Sequence, residues 1–155
     1  ALPISASTSQ LVDKISLFKA RRQTEYHHFL EKSKSCIQRM VDGFHRQDLE
    51  AIKNEIRYNR DLLKQLGTNS GVNIETESLS KLCQIAESFG GAAKTSGAGG
   101  GDCGIVAIDS NSNFGNVLKS WAKNHIEQLP LSVHFIDNAK SFKKSVKHHL
   151  SYIHK

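Results

Sequence analysis

The sequence predicts an α+β domain in which a layer of helices packs on a small antiparallel sheet. Apolar residues recur at helical spacing through the first ninety residues, and after Gly90 the pattern changes to short apolar runs rich in β-branched residues. Between two of those runs lies "KTSGAGGGDCGI", Lys94 to Ile105, which puts four of the chain's eleven glycines into five consecutive positions. Glycine belongs where the backbone must take φ > 0 or where something must approach it closely, so a tight, ligand-facing connection between two strands is expected there.

The elements follow in order. Leu11, Val12, Ile15 and Phe18 form one apolar stripe behind the cap-type residues Ser7 and Thr8, and Ile37, Met40, Val41 and Phe44 form a second. Asp48 has the chemistry of an N-cap. The third helix repeats apolar residues at Leu49, Ile52, Ile56, Leu63 and Leu66, is interrupted by Asn59, and has Gly67 as its stop signal. A fourth carries Leu79, Leu82, Cys83, Ala86 and Phe89 and ends at Gly90. Ala92 to Thr95 is a short strand leading into the glycines, and "GIVAID" is the strand leaving them. After the turn residues "DSNSN", Asn113 caps a helix whose inner face is Phe114, Val117, Leu118 and Trp121. Leu131, Val133 and Phe135 alternate in a last strand over Leu129 to Ile136, with Pro130 suited to an edge. Phe142, Val146, Leu150 and Ile153 suggest a terminal helix. No internal repeat or low-complexity linker is visible.

At 155 residues and 38% hydrophobic content the chain is sized for one compact domain with a real core. No apolar run approaches the roughly 18 residues of a membrane span, and "ALPISASTSQ" lacks the basic-then-apolar order of a secretory signal. A cytoplasmic protein with no membrane partner is the expectation. Cys36, Cys83 and Cys103 are odd in number and form no CxxC pair, which argues against a disulfide framework or a zinc knuckle and for free thiols. A net charge of +6 suits nucleic acid, a membrane surface or a small phosphorylated substrate without choosing among them. Much of the excess lies in Lys140, Lys143, Lys144, Lys147 and Lys155, beside His148, His149 and His154. A solvated basic face is the default there, and with no aromatic interleaving nucleic acid is disfavoured. The pairs His27–His28 and His148–His149 point in different directions on a helix, so no metal site is assigned. No nucleophile–base arrangement can be read from spacing, so no catalytic residue is assigned either.

The glycine loop departs from the common phosphate cradles. Gly99, Gly101 and Gly104 satisfy G-x-G-x-x-G, but that fingerprint needs a following helix and here "IVAI" continues as strand. The Walker pattern fails because no Gly-Lys-Ser/Thr follows. A turn remains whose amides can converge on an anion, flanked by Lys94 and the hydroxyls of Thr95 and Ser96. Hydrogen bonds to a charged group contribute roughly 1.5–3 kcal/mol each, so two or three would hold a phosphoryl group. The alternative is a ligand-free hairpin. Asp102 can orient a magnesium ion or a lysine, or tie down its own loop; Cys103 fits a small buried position. Arg57 and Arg60 straddle Asn59 and are either surface charges or partner- or substrate-facing groups.

The string "AAKTSGAGGGDCGI" closely resembles the third motif of the galactokinase, homoserine kinase, mevalonate kinase and phosphomevalonate kinase (GHMP kinase) superfamily, most of all the phosphomevalonate kinases. "ASTSQLV", "IRYNRDLL", "IETESLSKLCQIAE" and "SWAKNHIEQLPL" are similar to segments found in that order in the carboxyl-terminal part of such enzymes, over about residues 5 to 135. The resemblance implies a carboxyl-terminal GHMP-kinase domain over residues 1–137; residues 138–155 have no counterpart in it and, from their own charge and periodicity, form a basic amphipathic tail expected to be helical. It implies transfer of the ATP γ-phosphoryl group, with Mg2+, to 5-phosphomevalonate in isoprenoid synthesis. Carried over by position, Ser96, Gly97 and Ala98 would face the substrate phosphate, and Gly99, Gly100 and Gly101 would let the loop lie against the nucleotide loop. Lys94, Thr95 and Asp102 flank them, and Ser7 or Thr8 matches a position near the substrate.

The family's nucleotide loop, catalytic aspartate and substrate lysine are not in this sequence, so the chain resembles one part of an enzyme. It is expected to need an amino-terminal kinase domain as partner, to be inactive alone and to bind ATP and Mg2+ no more than weakly. An apolar face left uncovered by that domain would self-associate or be covered by the tail. A non-catalytic phosphate-binding or regulatory module with the same fold is the alternative.

Overall fold

The computed structural model describes residues 8–97, 99–100, 103–109, 113–129 and 151–154. Four helices come first: α1 (Thr8–Arg21), α2 (Gln23–Arg46), α3 (Leu49–Ser70) and α4 (Glu77–Ser88). They are followed by β1 (Ala92–Thr95), β2 (Cys103–Ala107), α5 (Phe114–Ala122), β3 (Glu127–Leu129) and β4 (Ser151–His154). The strands form one antiparallel sheet in the order β1-β2-β4-β3. The expected α+β architecture, helices packed on a small antiparallel sheet, is the one observed.

Local chemistry accounts for most boundaries. The Asp48 carboxylate caps α3 by accepting from the Ala51 amide at 2.9 Å, as expected, and the Thr76 hydroxyl caps α4 through the Leu79 amide at 3.4 Å. Asn113 stands before α5, although its side chain makes no capping bond to the backbone. Leu79, Leu82, Cys83 and Ala86 of α4, Val106 of β2 and Val117 and Trp121 of α5 form one buried cluster. The Trp121 indole N–H donates to the Leu82 carbonyl at 3.1 Å, so this large ring is buried with its polar atom satisfied.

Three expectations are corrected. Gly67 does not stop α3, which runs on to Ser70 and is capped by Gly71 at φ +67°. Gly67 is a glycine because a Cβ there would lie 2.7 Å from the Val72 carbonyl oxygen where the chain folds back. The second apolar stripe, Ile37, Val41 and Phe44, faces outward, all three being exposed, while Cys36 and Gly43 are buried and Met40 packs beside Ile52 and Ile56. Gly43 brings α2 against α3 so closely that a Cβ would lie 3.1 Å from Ile52 Cγ1, and this contact decides which face turns inward. Finally, Ser151–His154 form strand β4, paired to both β2 and β3, where a helical turn was expected. Of the strand expected over Leu129 to Ile136 only Leu129, the end of β3, is described; Leu131, Val133, Phe135, Phe142, Val146 and Leu150 lie outside the described residues.

Candidate functional site

The glycine loop is a hairpin between β1 and β2, with Ala92 opposite Ala107 and Thr95 opposite Gly104. The Ser96 amide donates to the Cys103 carbonyl at 3.0 Å and so extends the ladder one step beyond the strands. The hairpin then leans on the segment joining α3 to α4. Gly99 and Gly100 both have φ +87°, and the Gly100 amide donates to the Ile74 carbonyl at 3.1 Å. Gly99 lies so near that a Cβ would fall 2.5 Å from the same carbonyl oxygen. Two demands meet at Gly99, a left-handed backbone and a close approach, and only glycine satisfies both. Gly104 has a third kind of constraint, since a Cβ there would press on Leu82 at 3.0 Å.

Of the expected anion donors, the Ser96 and Gly100 amides are therefore spent on holding the hairpin. The Gly97 and Gly99 amides have no backbone partner among the described residues, and Gly97 borders open space. Ser96 is exposed and Thr95 is buried. Lys94 is half-buried, its ammonium donates to the Thr95 carbonyl at 2.7 Å, and it makes no salt bridge among the described residues. Burial pushes its pKa below the usual lysine value. Lys94 thus adds to the hairpin a cation that no acidic side chain pairs among the described residues. Ala98, Gly101, Asp102 and Ser7 lie outside the described residues, as does the Thr8 side chain.

Thr8 opens α1, and one turn on, Leu11 shares a buried cluster with Val72 and Ile74. The Lys14 ammonium donates to the Gly71 carbonyl at 3.1 Å. The first turn of α1 and the glycine hairpin thus converge on the 71–76 segment, although they are far apart in sequence. That segment is the part of the site that periodicity did not reveal. Its signals were the Thr76 cap and the pair Gly67 and Gly71, which together mark a sharp reversal between two helices.

Arg60 and Arg57, left open between surface and partner-facing roles, are structural. The Arg60 guanidinium grips Glu75 with two bonds, 2.8 and 2.7 Å, and donates a third to Glu87 at 2.7 Å; Lys64 stands 3.8 Å from Glu75. The hydrogen bond to Glu75 holds Arg60 firmly in its charged form. Burial opposes ionisation of Glu75, but the bonds and charge of Arg60 outweigh it and lower its pKa. Arg57 donates to the Gly91 carbonyl at 2.9 Å and Lys53 to the Gly90 carbonyl at 2.9 Å, fixing the turn that feeds β1.

All three cysteines are free. Burial pushes the Cys36 thiol up to about 11, helped by its contact with Glu55, and the Cys83 thiol up to about 12. Neither is a ready nucleophile. Cys103, expected to be buried, is half-buried in β2. Among the described residues no three His, Cys, Asp or Glu side chains gather to hold a metal ion, and no helix is long and apolar enough to cross a membrane.

Comparison with known proteins bears on this arrangement. The family model described as GHMP kinases C terminal matches residues 40–127, which include α3, α4 and the whole hairpin. The chain is 36% identical over 129 residues to the phosphomevalonate kinase of Streptomyces sp. (strain CL190), covering 82% of this chain and 34% of that protein. It superposes on the Lin0012 protein of Listeria innocua with a TM-score of 0.75 and 39% identity, over 81% of this chain and 35% of that one. The phosphomevalonate kinase of Streptococcus pneumoniae gives a TM-score of 0.65 and 28% identity, over 80% of this chain and 35% of that one. The chain thus spans about a third of the length of the relatives it matches.

Proposed function

The chain belongs to the GHMP kinases C-terminal family, and from that premise we propose that it is the substrate-side domain of a phosphomevalonate kinase. In that enzyme a phosphate oxygen of 5-phosphomevalonate attacks the γ-phosphorus of ATP. A new P–O bond forms, the bond to the β–γ bridging oxygen breaks, and ADP leaves with the electron pair. Catalysis of this kind is mostly positioning and charge stabilisation.

This chain's contribution is the hairpin. The observation that carries the reading is that Gly99 and Gly100, inside the matched region, are seated on Ile74 while the Gly97 and Gly99 amides keep no backbone partner among the described residues. Those amides and the exposed Ser96 hydroxyl are donors for the substrate phosphate, and the Lys94 ammonium supplies charge behind them. Ala98, Gly101, Asp102, Ser7 and Thr8 complete the proposed substrate set. Magnesium-bound ATP supplies the phosphoryl group, and under this reading it is held by an amino-terminal kinase domain, the partner required for turnover. The setting is cytoplasmic isoprenoid synthesis.

Amide titration of the chain tests the proposal. Phosphate and phosphomevalonate at millimolar concentration are expected to shift the Gly97 and Gly99 signals, with affinity falling as salt rises. Equal shifts spread over the surface, or none, would leave a ligand-free hairpin. The chain alone is expected to show no ATP-dependent phosphorylation of phosphomevalonate, and robust turnover abolished by Ser96→Ala would overturn the assignment of the nucleotide site to another domain.

A further inference from the structure

We infer that Arg60 is a positioning residue for the glycine hairpin and that it acts through Glu75 on the Ile74 carbonyl. The inference rests on the reading of the hairpin as the phosphate-holding element and adds to it a group on a different helix. Arg60 and Glu75 are almost fully buried, with side-chain exposures of 11% and 8%, whereas Glu87 keeps 33%. For stability alone a buried ion pair has no general advantage over apolar side chains of the same size. A guanidinium fork with two parallel bonds does have one property that apolar contacts lack, which is that it fixes the plane and direction of a carboxylate.

Direction matters here because of the covalent chain. Ile74 and Glu75 share one planar peptide unit, so holding the Glu75 side chain limits how far the Glu75 Cα, and with it the unit that carries the Ile74 carbonyl, can shift. That carbonyl receives the Gly100 amide at 3.1 Å, and Gly99 lies against it with no room for a Cβ. Displacement of this peptide breaks the first contact or collides with the second. The path is continuous: Arg60 on α3, Glu75, the 74–75 peptide, then Gly99 and Gly100. Glu87 anchors the fork's third nitrogen to α4, so both helices that flank the segment share the brace. A second fork provides an internal comparison, since Arg39 grips Glu55 with bonds of 2.7 and 2.9 Å across α2 and α3 and makes no hydrogen bond to the hairpin's described residues.

The test is amide–water exchange by NMR on the whole chain. Three variants are compared with the unaltered protein: Arg60→Lys, the double substitution Arg60→Met with Glu75→Gln, and the control Arg39→Met with Glu55→Gln. The double substitutions remove both charges of each fork at once, leaving only the partly exposed Glu87 without its Arg60 bond, and Arg60→Lys keeps the charge while losing the fork. In both Arg60 variants Gly100 exchange is expected to accelerate about tenfold or more relative to the β1 and β2 amides, as in a local opening. Phosphate affinity read at Gly97 and Gly99 should fall with it. The control should change neither, whatever it does to overall stability. Gly100 exchange that moves only in step with the β1 and β2 amides, or equally in the control, overturns the brace. Failure of phosphate to shift any hairpin amide in the unaltered chain would instead overturn the phosphate reading, and the Gly100 exchange would still decide the brace.

Discussion

Gly97 and Gly99 are two residues apart in one hairpin, yet the backbone treats them differently. Gly99 has φ +87° and a hypothetical Cβ 2.5 Å from the Ile74 oxygen; Gly97 has neither constraint, and a Cβ there would meet nothing within 4 Å. The left-handed conformation alone costs an L-residue on the order of 1–2 kcal/mol, and the collision with backbone adds to it. Gly99→Ala should therefore lower the unfolding free energy by more than about 2 kcal/mol, whereas Gly97→Ala should stay within about 0.5 kcal/mol. Urea unfolding of the two variants decides it, and equal effects would contradict the packing described. The density of glycines was enough to locate the loop in the sequence. It could not sort them, because the residue that makes Gly99 necessary is Ile74, twenty-five positions earlier, whose carbonyl oxygen and side-chain methyl both crowd the space a Cβ would take. Arg60 was hidden for a similar reason: a charge on a helix reads as solvated until both its acids, Glu75 and Glu87, fold onto it.

Helices were the most legible elements. The cap at Asp48 and the stripe Leu79, Leu82, Cys83 and Ala86 work through residues three or four apart, so local sequence contains the whole cause. Helix α2 shows where that logic ends. Two apolar faces compete on it, Ile37, Val41 and Phe44 against Cys36, Met40 and Gly43, and the larger one is outside. Close approach to α3 wins because Gly43 lets Ile52 into the groove, a gain that a count of apolar residues cannot register. Substitution should expose this ordering. Ile37→Lys and Val41→Lys, at side chains 49% and 39% exposed, are expected to change stability by no more than about 0.5 kcal/mol. Gly43→Leu must push α2 off α3 and should cost about 1–3 kcal/mol or more. Thermal unfolding that ranked these the other way would place the wrong face of α2 against α3.

The sheet is where the molecule as a whole departs from what local pattern can say. β1 and β2 are adjacent in sequence and joined by their own turn, and both were visible as β-branched or glycine-flanked runs. β4 lies between β2 and β3 although it follows both in sequence, and its four residues sit in a lysine- and histidine-rich stretch whose apolar residues recur at helical spacing. A strand that short owes its conformation to the two neighbours it pairs with, so tertiary hydrogen bonding overrides local preference. The topology makes a sharp prediction. β4 is the only described strand that β3 pairs with, and it covers the side of β2 that β1 does not. Deleting residues 151–155 should therefore leave the β1–β2 pairing and the glycine hairpin in place while freeing β3 and opening the second edge of β2. The expected loss is more than about 1 kcal/mol, the net worth of one or two hydrogen bonds. Its signature should be selective, because amides of Cys103–Val106 that face β4 lose exchange protection while those that face β1 retain it. Uniform loss across β1 and β2 would mean that β4 supports the whole core, and no loss at all would remove it from the sheet. Only the selective pattern fits a strand that closes one side of β2 while the hairpin on the other side is held by Ile74 and the helices beneath it.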